Sequence, residues 1–571
     1  MKSYLIPVLF ACAQLFCAVG SKAQNGWQWG IRGGGKAGIG TTNYVMDIAT
    51  DGAGNQYLLT QVATVPGSVI EIADDSLKGF GGTDICVVSF DCSGKLRWRK
   101  VIGGMEDDLG KIIRTDSMGG VYIGGYINAA DITGAVIDSD TTLAGNNLKQ
   151  LFILKYDTAG NYKWFRQPEP DTPITAANAW LLDMDVDNGG NISLLAALKP
   201  GTYASNLYPV ISGGRSAHML IYNAHGYFIK AIPMQISAGA DGASLSGLTM
   251  AWDKNNRRYY VCGNAPITFG STTLTHSFYI GRFTEDGNCM WVRQSSSGTM
   301  SLMGRPALDN DGSVYIAGDC EPGANFNGFV FTNSLAAVTA TNAPVLIRLD
   351  SNGRNKWVLN GASSEKAQCA AVCVSNGIVG VTGVTTVAKS KKTPLSFGSG
   401  FELHLYAPFM LRADAVTGDI LSLDSLSGSD GQITPISMAA DAGGNFYSSG
   451  SFTASSLEVP GIDTLVSGGG YTDFYMVKFG KADCARPVSL LPDPEQESFH
   501  VYPNPADNYI NIETQYISTA RLYDLMGQFI SSKQLSPPSD QMGVENLSPG
   551  TYLLQLTAKN GRRHTTRVFK R

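Results

Sequence analysis

Few residues in this chain have types and spacing that could do chemistry. Glu106-Asp107-Asp108 forms an acidic cluster on a loop. Paired carboxylates can serve as acid and base at a glycosidic bond, or can simply be solvated loop charges. Trp180 and Trp252 offer flat faces on which a sugar ring could stack. Gly30-Ile31-Arg32-Gly33-Gly34-Gly35-Lys36 has the spacing of a phosphate-cradling loop, but Ala37 stands where Ser or Thr would hold magnesium, so it reads as a turn. Asp309-Asn310-Asp311-Gly312 begins like a calcium loop and lacks the later ligands. It too reads as a turn; no cofactor is expected, with calcium left open as the alternative. The 6 histidines do not pair at metal-ligand spacing, and none stands near a Gly-x-Ser-x-Gly elbow. No catalytic residue and no metal ligand is assigned.

Composition narrows the setting. With 66 Gly and only 16% charged residues among 571, the chain suits a turn-rich all-β protein of more than one domain. A net charge of −5 gives no reason to expect a nucleic-acid partner. Lys2, an apolar run over residues 4–19 and the small-x-small Ser21-Lys22-Ala23 predict a secretory signal peptide at 1–23. No other stretch reaches membrane-spanning length. Export makes disulfides available to the eight cysteines beyond that segment. Cys369 and Cys373, four apart on a predicted strand, are expected on one face about 13 Å apart, too far to bridge each other. Which cysteines pair stays open.

The elements that must position these side chains come from a repeat. An apolar strand, an Asp-led Gly/Asn turn and a second apolar strand recur at Asp51, Asp116, Asp187, Asp253, Asp309, Ser375 and Asp441, at intervals of 56 to 71 residues. Asp caps such a turn while Gly or Asn accepts positive φ. A second hairpin follows each first one and ends in Trp98, Trp164, Trp291 or Trp357, with degenerate copies near Tyr227 and Ile420. Two hairpins per period give four short strands, the size of one propeller blade. The seventh unit lacks its fourth strand, and Trp27-Gln28-Trp29-Gly30 through Gly34 resembles that strand. The expected fold is therefore an all-β, seven-bladed β-propeller of four-stranded antiparallel blades over 24–480, closed by the N-terminal strand. Trp29, Trp98, Trp164, Trp291 and Trp357 recur at one repeat position and read as packing between blades. Trp180 and Trp252 lie off that position, so they are the ligand-contact candidates.

Two resemblances follow. Trp98, Gly103-Gly104, Glu106-Asp107-Asp108, Asp116, Tyr122 and Gly81-Gly82-Thr83-Asp84 stand where the bacterial SBBP propeller repeat has its Trp, Gly pair, acidic residues, hairpin Asp and Tyr, and Gly-Gly-x-Asp. At the C-terminal end, Tyr502-Pro503-Asn504-Pro505, Gly527, Gly550, Tyr552 and the basic terminus with Lys570 resemble the type A C-terminal sorting domain of the type IX secretion pathway of Bacteroidota. That resemblance implies a small Ig-like sandwich over 499–571, the type IX machinery as partner, and passage across the outer membrane to the cell surface or the medium. Residues 481–498, with Pro487, Pro492 and Pro494, read as the linker. Asp75-Ser76-Leu77 and Asp463-Thr464-Leu465 resemble the O-glycosylation acceptor of that phylum.

Loops running from each fourth strand to the next first strand, at 103–110 and 167–180 among others, are rich in Gly, Ser and Thr. They converge where propellers usually hold ligands. The leading expectation is an exported, non-enzymatic module that binds a glycan or a surface protein. The alternatives are a polysaccharide-active or quinoprotein-like propeller enzyme, and a structural spacer. Three or more convergent carboxylate, His or Arg side chains in the channel would favour the enzyme; a Gly/Ser/Thr lining would disfavour it.

Overall fold

A computed structural model describes residues 26–35, 43–64, 69–73, 75–129, 134–139, 141–145, 149–168, 179–203, 208–210, 215–238, 243–264, 266–276, 278–335, 342–363, 365–385, 394–398, 400–404, 407–429, 431–481, 484, 500–513, 518–524, 528–536, 539–558 and 563–571. The expected signal peptide and nearly all of the expected linker lie outside them. The described residues form strands, turns and one short 3-10 helix, Ala243–Gly247, so the protein is all-β. Two compact units divide at Arg486/Pro487. Among the described residues no helix is long and apolar enough to cross a membrane.

In the first unit each hairpin pair folds into an antiparallel sheet. The first runs Asn43–Thr50, Gln56–Thr64, Gly82–Phe90, Leu96–Gly104, and the second Leu109–Thr115, Gly120–Asn128, Lys149–Asp157, Tyr162–Arg166. The third begins at Ala179–Val186, the fourth at Thr249–Asp253, the fifth at Met300–Leu302 with Ala307–Leu308, and the sixth at Ala367–Ser375. The last, Ile433–Ala440, Phe446–Phe452, Asp473–Gly480, takes Gly26–Gly35 as its fourth strand, in the register Gly26↔Gly480 to Gly33↔Phe474. Gly33 and Gly34 are glycines because a side chain there would strike Phe474 and Asp473, which accounts for the phosphate-loop look of this segment.

Apolar residues of consecutive sheets share cores. Tyr57, Leu59 and Val87 pack with Ile123, Phe152 and Leu154, and the last sheet's Tyr447, Phe474 and Met476 pack with Leu58, Val62 and Val88 of the first. The recurring tryptophans build these seams. Trp29, Trp98, Trp164, Trp291 and Trp357 donate their indole N–H to Cys92 O, Thr158 O, Ala224 O, Ser351 O and Ala415 O, each in the closing turn of the next sheet, at 2.8–3.2 Å. The hairpin aspartates act as caps. Asp51, Asp116 and Asp441 accept backbone N–H groups of their own turns on Oδ1 and the hydroxyls of Tyr57, Tyr122 and Tyr447 on Oδ2.

Two features go beyond the sequence reading. A small hairpin between second and third strands reaches back and pairs with the preceding sheet: Val69–Ile72 with Gly33–Gly35, Ala135–Asp138 with Gly103 and Gly104, Asn325–Phe326 with Ser295 and Ser297. Ser76 and Thr464 of the two acceptor-like triplets lie exposed on such hairpins. The second feature is a disulfide between Cys92, in the first sheet's closing turn, and Cys484, beyond the last strand, 392 residues apart.

The second unit has two antiparallel sheets. His500–Tyr502, Tyr509–Glu513 and Ser539–Gly543 form one; Phe529–Leu535, Ser518–Tyr523, Gly550–Ala558 and Arg563–Lys570 form the other. Ile510, Ile512, Leu522, Met542, Leu554 and Val568 fill their common core.

Candidate functional site

The first strands of all seven sheets line one cavity of about 450 Å3. Its lining is mostly apolar and places the charged Asp47, Lys111, Arg114, Asp183 and Arg305 beside Thr50, Thr115, Thr249, Gly304 and Ser437. Many of these first strands carry a β-bulge, which opposes two residues to one and re-aims a side chain. Bulges fall at Val45/Asp47, Gly110/Ile112, Leu181/Asp183, Cys369/Ala371 and Pro435/Ser437, the same place in five of the sheets. The same shift corrects the cysteine expectation: Cys369 packs in one core with Val372, whereas Cys373 packs in the neighbouring core with Ala371, so the two do not share a face. Both thiols are pushed up by burial.

Asp47, Asp183, Arg114 and Arg305 line this cavity, and Asp185 joins them through Arg305. Asp47 accepts Ile48 N–H (2.9 Å) and the Ser437 hydroxyl (2.8 Å) on Oδ1, and on Oδ2 Ile113 N–H (3.1 Å) and the Arg114 guanidinium. Asp183 accepts Met184 N–H (2.7 Å) on Oδ1, with Arg114 Nη2 at 3.6 Å. Its Oδ2 accepts Met250 N–H (2.7 Å) and Arg305 Nε (2.8 Å). Asp185 accepts Val186 N–H (2.9 Å) on Oδ1, and Trp252 N–H (3.0 Å) and Arg305 Nη2 (3.2 Å) on Oδ2. Every carboxylate oxygen of the three therefore accepts a hydrogen bond. Each aspartate ties its own strand to the first strand of a neighbouring sheet, and Arg305 Nη2 also donates to Met250 O at 2.7 Å. Acids held this way, each opposite a guanidinium, staple neighbouring sheets together. Lys111, an extra residue of the second bulge, donates to Leu181 O at 2.6 Å, and burial lowers its pKa against the opposing pull of Asp183.

The expected site residues separate. Trp180 lines a second cavity, about 260 Å3, with Leu109, Lys111, Tyr126, Lys149 and Ser246. Trp252 lines neither of these cavities; its ring packs on Tyr259 with centroids 4.3 Å apart. Glu106 and Asp107 are exposed, and Asp107 accepts the Thr83 hydroxyl at 2.8 Å. Asp108 is not a solvated loop charge. It is fully buried, accepts Asn128 N–H (2.6 Å) and Gly104 N–H (2.9 Å), and burial pushes its carboxyl up to about 7, with Asp84 adding to the rise. The loop doubles back, so the three acids do not form one cluster. In the calcium-like turn, Asp309 accepts Asn310 N–H, while Asp311 accepts Ser313 N–H and pairs with Arg348 at 2.8 Å.

In the second unit, Tyr502-Pro503-Asn504-Pro505 grips the last strand. Asn504 donates to Arg567 O and accepts Phe569 N–H, both at 2.8 Å, and Ala506 N–H donates to Phe569 O at 2.7 Å. The Tyr502 hydroxyl donates to Glu513, Tyr552 donates to Ser548 O, and Gly550 pairs with Lys570. Gly527 lies outside the described residues.

These residues belong to a recognised segment: 500–571 match the family model of the secretion system C-terminal sorting domain. The protein is accordingly one that the type IX machinery carries across the outer membrane, to the cell surface or the medium. No curated protein matches the chain. Among solved structures, PorZ, an essential surface component of the type-IX secretion system of Porphyromonas gingivalis, is 11% identical, with 92% of this chain and 81% of that chain covered and a TM-score of 0.20. The extracellular domain of a putative one-component system from B. thetaiotaomicron is 10% identical (96% and 99% covered, TM-score 0.21). A europium-containing methanol dehydrogenase is 12% identical (80% and 92% covered, TM-score 0.34). Likenesses this weak transfer no function.

Proposed function

We propose that the first unit is a seven-bladed β-propeller closed by Gly26–Gly35, exported to bind a glycan or a surface protein, and that the second is an Ig-like sandwich serving as its sorting label. The shared cores running from each sheet to the next, and from the last back to the first, support the closed ring. The SBBP-like repeat residues hold the seams. The ion pair of Asp311 with Arg348 supports reading that segment as a turn.

The observation that carries binding over catalysis is the engagement of Asp47, Asp183 and Asp185. Their number meets the count set for an enzyme, but each oxygen is held by backbone N–H groups, a hydroxyl or arginine. The test is retention of the purified protein on an array of bacterial, plant and host glycans, with and without calcium, alongside cross-linking on intact cells. Selective retention or a discrete cross-linked partner supports the reading; neither would remove it in favour of a spacer.

A further inference from the structure

The second cavity lies where the second and third sheets begin. Its walls are the Trp180 indole, the Tyr126 ring and the apolar side chains of Leu109, Leu181 and Leu182. Lys111 and Lys149 are among its lining residues, and among the described residues that line it there is no carboxylate. The aromatic wall is held in place: Leu181 N–H donates to the Tyr126 hydroxyl at 2.7 Å, and the Arg215 guanidinium lies 3.8 Å from the Trp180 ring centroid. Lys149 Nζ stands 5.9 Å from the Tyr126 ring centroid. Lys111 gives Leu181 O one N–H; an ammonium carries three.

An aromatic wall suits the C–H face of a pyranose. Two lysines in the described lining suit an anionic substituent on that ring, since charge-assisted hydrogen bonds are the stronger ones; Lys111 also feels Asp183 and Lys149 feels Asp108, neither of which is among the described lining residues. We infer that this cavity binds an acidic sugar unit of a polysaccharide, one bearing a carboxylate or a sulfate, with Trp180 as the stacking face and Lys111 and Lys149 as the anion contacts. The inference rests on the binding reading and names the ligand class.

The experiment is calorimetric titration of the purified full chain with oligosaccharides of polygalacturonate, alginate and chondroitin sulfate, and with neutral cello- and dextran oligosaccharides. Binding of at least one acidic series is expected, at least about tenfold tighter than either neutral series and weakened by salt. Lys149→Met should weaken it about tenfold, the scale of one charge-assisted hydrogen bond. Trp180→Ala should weaken it at least as much, and Trp180→Phe should restore most of the loss. Thermal melts of each variant separate lost binding from lost folding, and Lys149→Met decides if Trp180→Ala does not fold. Equal binding of acidic and neutral sugars, or acidic binding indifferent to Lys149→Met, would overturn the acidic-sugar inference and leave the binding reading standing. No glycan binding at all would overturn the inference too, and cell-surface cross-linking would then decide the broader reading. Preference for the carboxylated or the sulfated series assigns the anion.

Discussion

Gly160 offers a direct test of the seam between consecutive sheets. It closes the second sheet's last hairpin at φ +83°, and a Cβ there would lie 2.8 Å from Trp98 Cδ2 and 2.9 Å from Cγ. Trp98 also donates to Thr158 O at 2.8 Å in the same turn. Gly160→Ala carries a left-handed backbone cost of about 1–2 kcal/mol. It must also displace the indole, which forfeits a hydrogen bond of about 1 kcal/mol and overpacks the seam by about 1–3 kcal/mol. Gly377 is the control: φ is +72°, and nothing lies within 4 Å of its Cβ position. Gly377→Ala should therefore cost only the backbone amount, roughly 1–2 kcal/mol. Equilibrium urea unfolding, followed by far-UV circular dichroism and tryptophan fluorescence, should show Gly160→Ala as the worse variant by about 2–4 kcal/mol. In a Trp98→Ala background that excess should vanish. Equal shifts for the two glycine variants would refute the claim that indole and turn are in tight contact.

Other outcomes follow from the same packing. Cys92→Ser or Cys484→Ser should destabilise the first unit by about 2–4 kcal/mol, and reductant should lower the melting temperature of the parent but not of the variants. Asp183→Ala should cost about 3–5 kcal/mol in denaturant titration, because it strips Arg305 of its main partner and leaves Met250 N–H without an acceptor. Asp108 gives a pH signature. Its folded pKa of about 7 exceeds the unfolded value of about 3.9, so the folded state holds the extra proton and stability falls as pH rises between those values, by at most about 4 kcal/mol. Asp108→Asn should flatten that part of the stability–pH profile relative to the parent.

Much of the frame was legible because it repeats. The likeness of Trp27–Gly34 to Trp98–Gly104 anticipated the pairing of Gly26–Gly35 with Asp473–Gly480, and the Asp-led turns and the packing tryptophans stand as read. The cavity was less legible. Asp47, Asp183 and Asp185 look like ordinary strand residues, and a bulge leaves no mark in a hydrophobic pattern, so nothing local tells which side chain turns inward. Arg305 comes from a short irregular stretch between Met300–Leu302 and Ala307–Leu308, where periodicity gives no signal. Asp108 was misread because burial of a loop carboxylate depends on partners distant in sequence, here Asn128 N–H and the strand start at Thr83. The Cys92–Cys484 bridge joins the two ends of the repeat array, a proximity that could have been reasoned from Gly26–Gly35 completing the last sheet.

The central claim is that this exported protein binds its target and leaves it intact. The most direct test is to incubate the purified protein with whichever polysaccharide it retains and follow chain length by size-exclusion chromatography. The account predicts a saturable shift of the complex with no shortening of the polymer over many hours. Progressive fragmentation that stops in Asp183→Asn or Asp47→Asn variants that remain folded would contradict it.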